Sequence, residues 1–441
     1  MLHAIALLGS FALASVALAD AVPVSFRSDI APVLHRRCTT CHGEENAKGA
    51  YRLDTFARLQ KTGDSDLPPV VPGKSGESEL YRLLIEHEPE DRMPQKADPL
   101  PPEEITLIKR WIDAGANYDG GSAERSLVEL VRETMLRSAP AHYPRPAPIT
   151  ALAFSPDGKQ IAASGYYEVT LWDVQTGALN RRIGGMPERI NALAWHPQRN
   201  LLAVAGGSPS QWGSVLLVDP AAAAPARVLC DLPDTLQSVA FAPDGAQLAA
   251  AGGDRTIRFF DTASGRQTRS LRLHADVVQS VAYSRDGKRL VSASRDRTAR
   301  VIDAQTGELL ATYSDHEAPV LSAVFAPNGS SVLSVSRGQP VHVWKADEGK
   351  KSGEMKELGR EPQVLLATTL GVITGAIDQT VRVHQLSDRQ PLFALAGHRD
   401  CVDALALAPD GSSFASGGHD GEVLIWSLAC GTWTQRFTAS P

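Results

Sequence analysis

The chain has 441 residues, 43% of them apolar and 21% charged, and a formal net charge of −6. That length predicts two or three domains rather than one core, and the composition is that of a globular protein. There is no basic excess of the kind a nucleic-acid partner requires.

The chain opens with "MLHAIALLGSFALASVALAD", an apolar run from Ala4 that ends in Ala17-Leu18-Ala19. This small-x-small ending predicts a signal peptide over residues 1–19, cleaved after Ala19. The run is shorter than the ~20 residues of a membrane span, and no later segment approaches that length. Its first residues carry His3 but no Lys or Arg, and no Cys at the cleavage point invites lipid attachment. The mature protein is therefore expected to be periplasmic or otherwise extracytoplasmic, with no integral span after cleavage.

Residues 22–119 alternate helix-like patches with Pro- and Gly-rich loops, and they contain the pentapeptide "CTTCH", Cys38 to His42. A thioredoxin-like pair needs a βαβ setting, whereas "SDIAPVLHRRC" predicts a helix entering the motif, with Ser28 as its N-cap. A zinc site needs about four ligands, and the next cysteine is Cys230. A simple disulfide leaves His42 without a role. Covalent attachment of one haem c uses all five positions: Cys38 and Cys41 as thioethers and His42 as proximal iron ligand.

For the opposite side of the iron the candidate is Met93, in "EDRMPQKADPLPPEEITLIKRWIDAGA", with His87 as runner-up. His35, one turn before Cys38, is expected to be a packed or solvated helix residue. After Met93 a helix is predicted to start at Pro102, favoured by Glu103 and Glu104 at its positive end. It buries Ile105, Ile108, Trp111 and Ile112 and stops at Gly115. A His and Met pair gives a six-coordinate, relatively high-potential centre.

Residues 120–148 are expected to be a linker. A short amphipathic helix carrying Leu127, Leu130 and Val131 is followed by an extended Pro-rich stretch from Pro140 to Pro148. From residue 149 to 438 the texture changes to short alternating strands. The turns "FSPDG", "WHPQR", "FAPDG", "YSRDG", "FAPNG" and "LAPDG" recur at steps of 41 (Pro156 to Pro197), 46 (to Pro243), 42 (to Arg285), 42 (to Pro327) and 82 (to Pro409). The last step is two periods, so a repeat that lacks its turn is predicted near residue 368. Seven repeats of four strands are the pattern of a β-propeller.

Two resemblances follow. "TLWD" at Trp172-Asp173, "HVWK" at Trp344 and "LIWS" at Trp426 make the second region similar to the WD-repeat family, over about two thirds of the chain. The resemblance implies a hydrogen-bonded His, Ser or Thr, Asp and Trp stack in each blade. Only the last blade carries the full set, His398, Ser416, Asp420 and Trp426. Phe260, Ile302 and His384 replace Trp elsewhere, and His274 and His316 are expected to be structural. An Asp six positions before the Trp site recurs at Asp254, Asp296, Asp378 and Asp420.

The segments "FRSDIAPVLHRRCTTCHG", "KGAYRLDTFARL", "VVPGKSGESELYRLL", "RMP" and "LPPEEITLIKRWIDAGA" resemble, in order, the cytochrome c domain of planctomycete proteins. That implies haem on Cys38 and Cys41, iron on His42, and Met93 as distal ligand. The expected fold class is thus multidomain: a small all-α cytochrome c-like haem domain followed by a seven-bladed all-β propeller of WD-repeat type.

The leading functional expectation is an exported one-haem electron carrier whose propeller is a protein-docking platform. Redox partner proteins would dock at the haem edge or the propeller face. Carrier or scaffold is favoured over catalyst. One alternative is a propeller-containing oxidoreductase with a second cofactor or substrate, for which His196, His342, His384 and His419 are candidates in principle. Another is a haem-based redox or gas sensor or an assembly scaffold. Cys401 and Cys430 share one blade and could pair. Ring closure is open between the C-terminal "TWTQRF" and the N-terminal linker.

Overall fold

The computed structural model describes residues 23–44, 46–95, 97–222, 224–356 and 360–441. The expected signal peptide, residues 1–19, lies outside them. Among the described residues no helix is long and apolar enough to cross a membrane.

The N-terminal unit is helical. A π-helical turn, Phe26–Ile30, runs into α1 (Ala31–Arg37), followed by α2 (Thr39–His42), α3 (Phe56–Leu59), α4 (Glu79–Leu84), α5 (Pro102–Asp113) and α6 (Leu127–Met135). The expected cap at Ser28 is corrected: Ser25 Oγ accepts the Ser28 N–H at 3.0 Å, so the helical stretch starts three residues earlier and includes Phe26. That shift places Phe26 in the core beside Trp111, Phe56 and Tyr118, at ring separations of 5.3, 5.0 and 5.2 Å. α5 begins at Pro102 as predicted, and Gly115 follows it at φ +103°, a conformation glycine adopts without strain.

Leu127, Leu130 and Val131 of α6 are buried in the same core as α1 and α5. The helix expected within a linker is therefore part of the helical unit. Its start is held by the Leu127 N–H on the Asp54 carbonyl at 2.8 Å.

Seven four-stranded antiparallel sheets follow, at residues 152–184, 190–232, 236–271, 278–313, 320–355, 362–396 and 402–438. The sixth is the repeat predicted near residue 368. Gly158, Gly245, Gly287, Gly329 and Gly411 close the turns between first and second strands at φ from +68° to +74°, which explains why these positions keep a glycine. The first strands of neighbouring blades touch one another around the ring and form its inner wall.

Ring closure uses both chain ends. The C-terminal strand Trp433–Thr438 completes the seventh blade on its own, and the Ile149 N–H then binds the Gly418 carbonyl at 3.0 Å. Phe437 stacks on Trp172 of the first blade at 5.0 Å, and Ile149, Leu152 and Phe154 share a core with Ala404, Val423 and Ile425.

The expected seventh-blade stack forms: His398 Nε2 meets Ser416 Oγ at 2.7 Å, His398 Nδ1 meets Asp420 at 3.3 Å, and Trp426 Nε1 donates to Ser416 at 2.7 Å. Burial works to raise Asp420, but the hydrogen bonds from His398 and from the Arg399 and Glu422 N–H groups outweigh it and hold the carboxyl at about 2. The fifth blade is more complete than its sequence suggested. His316 and Trp344 both meet Ser334, at 2.7 and 3.0 Å, while Gln339 Oε1 takes the Asp role at 3.1 Å from His316. His274 binds Ser292 and Asp296 in the fourth blade without a Trp.

The helical unit docks on the second blade. Trp212 is 1% exposed and packs into the helical core. Its Nε1 donates to Asp231 at 3.1 Å, and Arg132 of α6 reaches the same carboxylate at 2.8 Å. His35 is buried at this junction, close to the Leu232 backbone, and burial lowers its pKa to about 4. A histidine whose folded value lies below the unfolded 6.5 gives full stability above pH 6.5 and loses it as pH falls towards 4. Urea unfolding at pH 7 and pH 4.5 should differ by up to about 3 kcal/mol from this group. A His35→Gln protein, neutral throughout, should show a flatter dependence.

Candidate functional site

The spacing of Cys38, Cys41 and His42 becomes geometry in α2. Cys41 and His42 both donate their N–H to the Cys38 carbonyl, at 3.1 and 3.0 Å, so one helical turn carries all three side chains on adjoining positions of one face. Thr39 Oγ1 caps the preceding turn on the His35 carbonyl at 2.6 Å. Arg36 and Arg37 anchor the motif to α5 through Glu104, at 2.7 and 2.9 Å. Burial raises the Glu104 carboxyl, and the two guanidinium hydrogen bonds more than reverse this and keep it ionised.

Cys38, Cys41, His42 and Met93 all line one cavity of about 340 Å³. Its walls are mostly apolar, with Tyr51, Leu53, Leu80, Leu84 and Leu100 around the four, and Arg37 and Lys48 among its few charges. Met93 is half-buried, and its N–H is fixed on the Leu83 carbonyl at 2.9 Å, which ties its loop to the end of α4. His87 is exposed and is not part of this wall. Burial pushes the Cys38 thiol up to about 12, so it is held neutral.

The decisive contact was not visible in the sequence. His42 Nδ1 lies 3.2 Å from the Tyr51 main-chain carbonyl. A carbonyl can only accept, so Nδ1 carries the proton and Nε2 keeps its lone pair for a metal. The Tyr51 hydroxyl is itself fixed on the Leu59 carbonyl at 3.1 Å, and the Leu53 N–H binds the His42 carbonyl at 2.9 Å. No residue type announces this, because the acceptor is backbone.

Among the described residues, His196, His342, His384 and His419 do not come together: they stand in four different blades. His196 accepts the Gln198 and Arg199 N–H groups at 3.1 Å within its own turn. His342 stacks on His316 at 4.3 Å and meets the Tyr313 hydroxyl at 2.8 Å. His384 is buried in the sixth blade, and His419 stands on a loop of the seventh. Cys401 and Cys430 are both free thiols, at opposite ends of the blade, roughly 20 Å apart by the length of a six-residue strand. They cannot pair without moving the backbone.

Comparison with known proteins agrees with both halves. The family described as Planctomycete cytochrome C matches residues 38–96. The WD domain, G-beta repeat, matches residues 134–173, 230–261, 265–303, 307–345 and 389–427. Small ribosomal subunit protein RACK1y of Oryza sativa subsp. japonica is 38% identical over 68 residues, 15% of this chain and 20% of that protein. Periodic tryptophan protein 2 homolog of Mus musculus is 28% identical over 130 residues, 29% of this chain and 14% of that protein. The sterol regulatory element-binding protein cleavage-activating protein of Xenopus laevis is 35% identical over 74 residues, 17% and 6% of the two chains. The chain spans no more than about a fifth of the length of these curated relatives.

A cytochrome c domain implies a haem cofactor, and the cavity fits one. It offers two thiols, an imidazole whose Nδ1 is occupied, a thioether sulfur and an apolar wall. The match that begins at Cys38 and the repeats that recur through five blades make this chain a cytochrome c domain of the planctomycete family joined to a WD-repeat propeller.

Proposed function

We propose that the protein is an exported electron carrier with one covalently held haem, and that its propeller is the platform on which partner proteins dock. The observation that carries this reading is the His42 Nδ1 contact with the Tyr51 carbonyl, in a cavity that Cys38, Cys41 and Met93 also line. Cys38 and Cys41 would hold the group through thioethers, and His42 Nε2 and Met93 Sδ would bind the iron. Bound there, a haem supplies a one-electron Fe(III)/Fe(II) couple. The residues of the chain orient the ligands and keep water out: Tyr51 fixes the imidazole, the Leu83 carbonyl fixes the Met93 loop, and Leu53, Leu84 and Leu100 desolvate the wall. Apolar walls and a Met ligand both favour the reduced state. Leu67 lines the cavity and is 44% exposed, an apolar contact for a partner protein at its edge.

Intact-mass measurement of the purified protein tests attachment and export together. The expected mass is that of residues 20–441 plus one haem, retained after acid–acetone extraction. The Cys38→Ser and Cys41→Ser double variant should lose the haem to the solvent. Extractable haem in the native protein would overturn the covalent assignment, and a chain that still carries residues 1–19 would overturn the export assignment.

A further inference from the structure

The seventh blade departs from the repeat at three positions that its fold does not require. In blades three to seven the loop before the innermost strand is tied to the loop after the second strand by one backbone hydrogen bond. It runs from Gly253 to Thr235 at 2.9 Å, Arg295 to Val277 at 2.9 Å, Arg337 to Pro319 at 3.3 Å, Ile377 to Glu361 at 3.4 Å, and His419 to Cys401 at 2.9 Å. Two residues after the accepting position stand Gln237, Gln279, Leu321, Gln363 and, in the seventh blade, Asp403. The recurring bond uses main-chain atoms alone, so these side chains are free to differ. Only the seventh blade puts Cys, Asp and His there.

The three converge. Cys401 Sγ is 2.8 Å from His419 Nδ1, which is 2.7 Å from Asp403 Oδ2, and Sγ to Oδ2 is 3.7 Å. This is the only group of three or more metal-type ligands found among the described residues. A nucleophilic relay would place thiol and carboxylate on opposite ring nitrogens. Here both face Nδ1, which suits a shared cation and not a relay. The blade's stack is already complete on His398, so His419 is not needed there. A second carboxylate, Asp400, accepts the Cys401 N–H at 2.8 Å and adds negative charge beside the thiol. The His419 side chain is 40% exposed, which leaves room for a water as fourth ligand.

We propose that Cys401, Asp403 and His419 form a binding site for a divalent cation of the zinc class at the rim of the propeller's central channel. One sulfur, one nitrogen and one oxygen donor with an open fourth position suit a tetrahedral, borderline-soft ion better than calcium or magnesium, which take oxygen alone. Binding releases the proton of the thiol to solvent, and no redox step or co-reactant is involved.

The full-length haem protein is loaded with zinc chloride, dialysed against metal-free buffer, and assayed for zinc per chain. About one zinc per chain is expected in the native protein and in Cys430→Ser, and at least about tenfold weaker zinc binding in Cys401→Ser and His419→Ala. Because a variant could misfold, a second measurement uses the native chain. Zinc should slow iodoacetamide alkylation of Cys401 but not of Cys430, read by peptide mass spectrometry. Unchanged zinc binding in a folded Cys401→Ser protein, or alkylation of Cys401 indifferent to zinc, overturns the site. Neither readout depends on how the haem is bound.

Discussion

Met93→Ala should lower the reduction potential by roughly 100 mV or more, a part of the ~0.8 V range over which axial ligands move haem potentials. In the proposed arrangement the Met93 thioether would be a weak donor favouring Fe(II), so its loss would remove a bias towards the reduced state and leave the iron accessible to water or added imidazole. Met93 is half-buried on the cavity wall and its loop is pinned on Leu83, so truncation leaves the loop in place. Redox titration followed by visible spectroscopy measures the shift. His87→Ala is the control: His87 is exposed and outside the wall, and its removal should leave potential and spectrum unchanged. An unchanged potential in Met93→Ala, or a shift in His87→Ala, would reassign the distal ligand.

Trp111→Ala should destabilise the helical unit by about 3–5 kcal/mol, the range for deleting a fully buried aromatic. Trp111 is 1% exposed, packs on Phe26 at 5.3 Å, and donates its Nε1 to the Asn117 carbonyl at 2.8 Å. The substitution opens a cavity and leaves that carbonyl without its donor in the same step. Against a typical total of 5–15 kcal/mol, such a loss should show as a separate early transition of the helical unit in guanidinium unfolding. Near-ultraviolet circular dichroism with haem absorbance reports the helical unit, and the later propeller transition should keep its midpoint. A single unshifted transition would mean that this aromatic cluster does not limit stability.

The junction between the units bears on the proposed electron transfer. Arg132, Asp231 and Trp212 form a charge pair capped by a buried indole, and removing one charge leaves the other uncompensated. The docked helical unit is thereby held in one orientation on the second blade. A partner protein bound on the propeller would meet the cavity edge at a defined place, in keeping with the proposed platform role.

Much of this protein was legible along the chain. The Cys38, Cys41 and His42 set, the Pro102 start and Gly115 stop of α5, and the seven repeats each depend on neighbours within one turn or one hairpin. Such features are written locally: a helix brings positions three and four apart together, and an Asp-Gly turn needs a left-handed glycine wherever it stands. Even the sixth blade, which lacks the turn, was recoverable because its strands keep the period.

What only the tertiary structure decided involves groups that meet without a residue signature. The Tyr51 carbonyl that orients His42 is a backbone atom, identical in every residue. Gln339 takes the place of an Asp because its longer amide still reaches His316, which residue identity did not suggest. Ser25 rather than Ser28 caps the first helical stretch because both satisfy the local preference and the burial of Phe26 chooses between them. Cys401, Asp403 and His419 converge because the antiparallel register of strands Val402–Leu407 and Ser413–Gly418, with its bulge after Val402, sets Cys401 beside a residue 18 positions on, and residue types alone do not fix that register. The chain by itself therefore determined the cofactor motif and the number of blades, since both are short-range patterns. The orientation of the His42 imidazole, the docking of the two units and the convergence of Cys401, Asp403 and His419 waited for the fold, since each is made from atoms that sequence distance separates and packing rejoins.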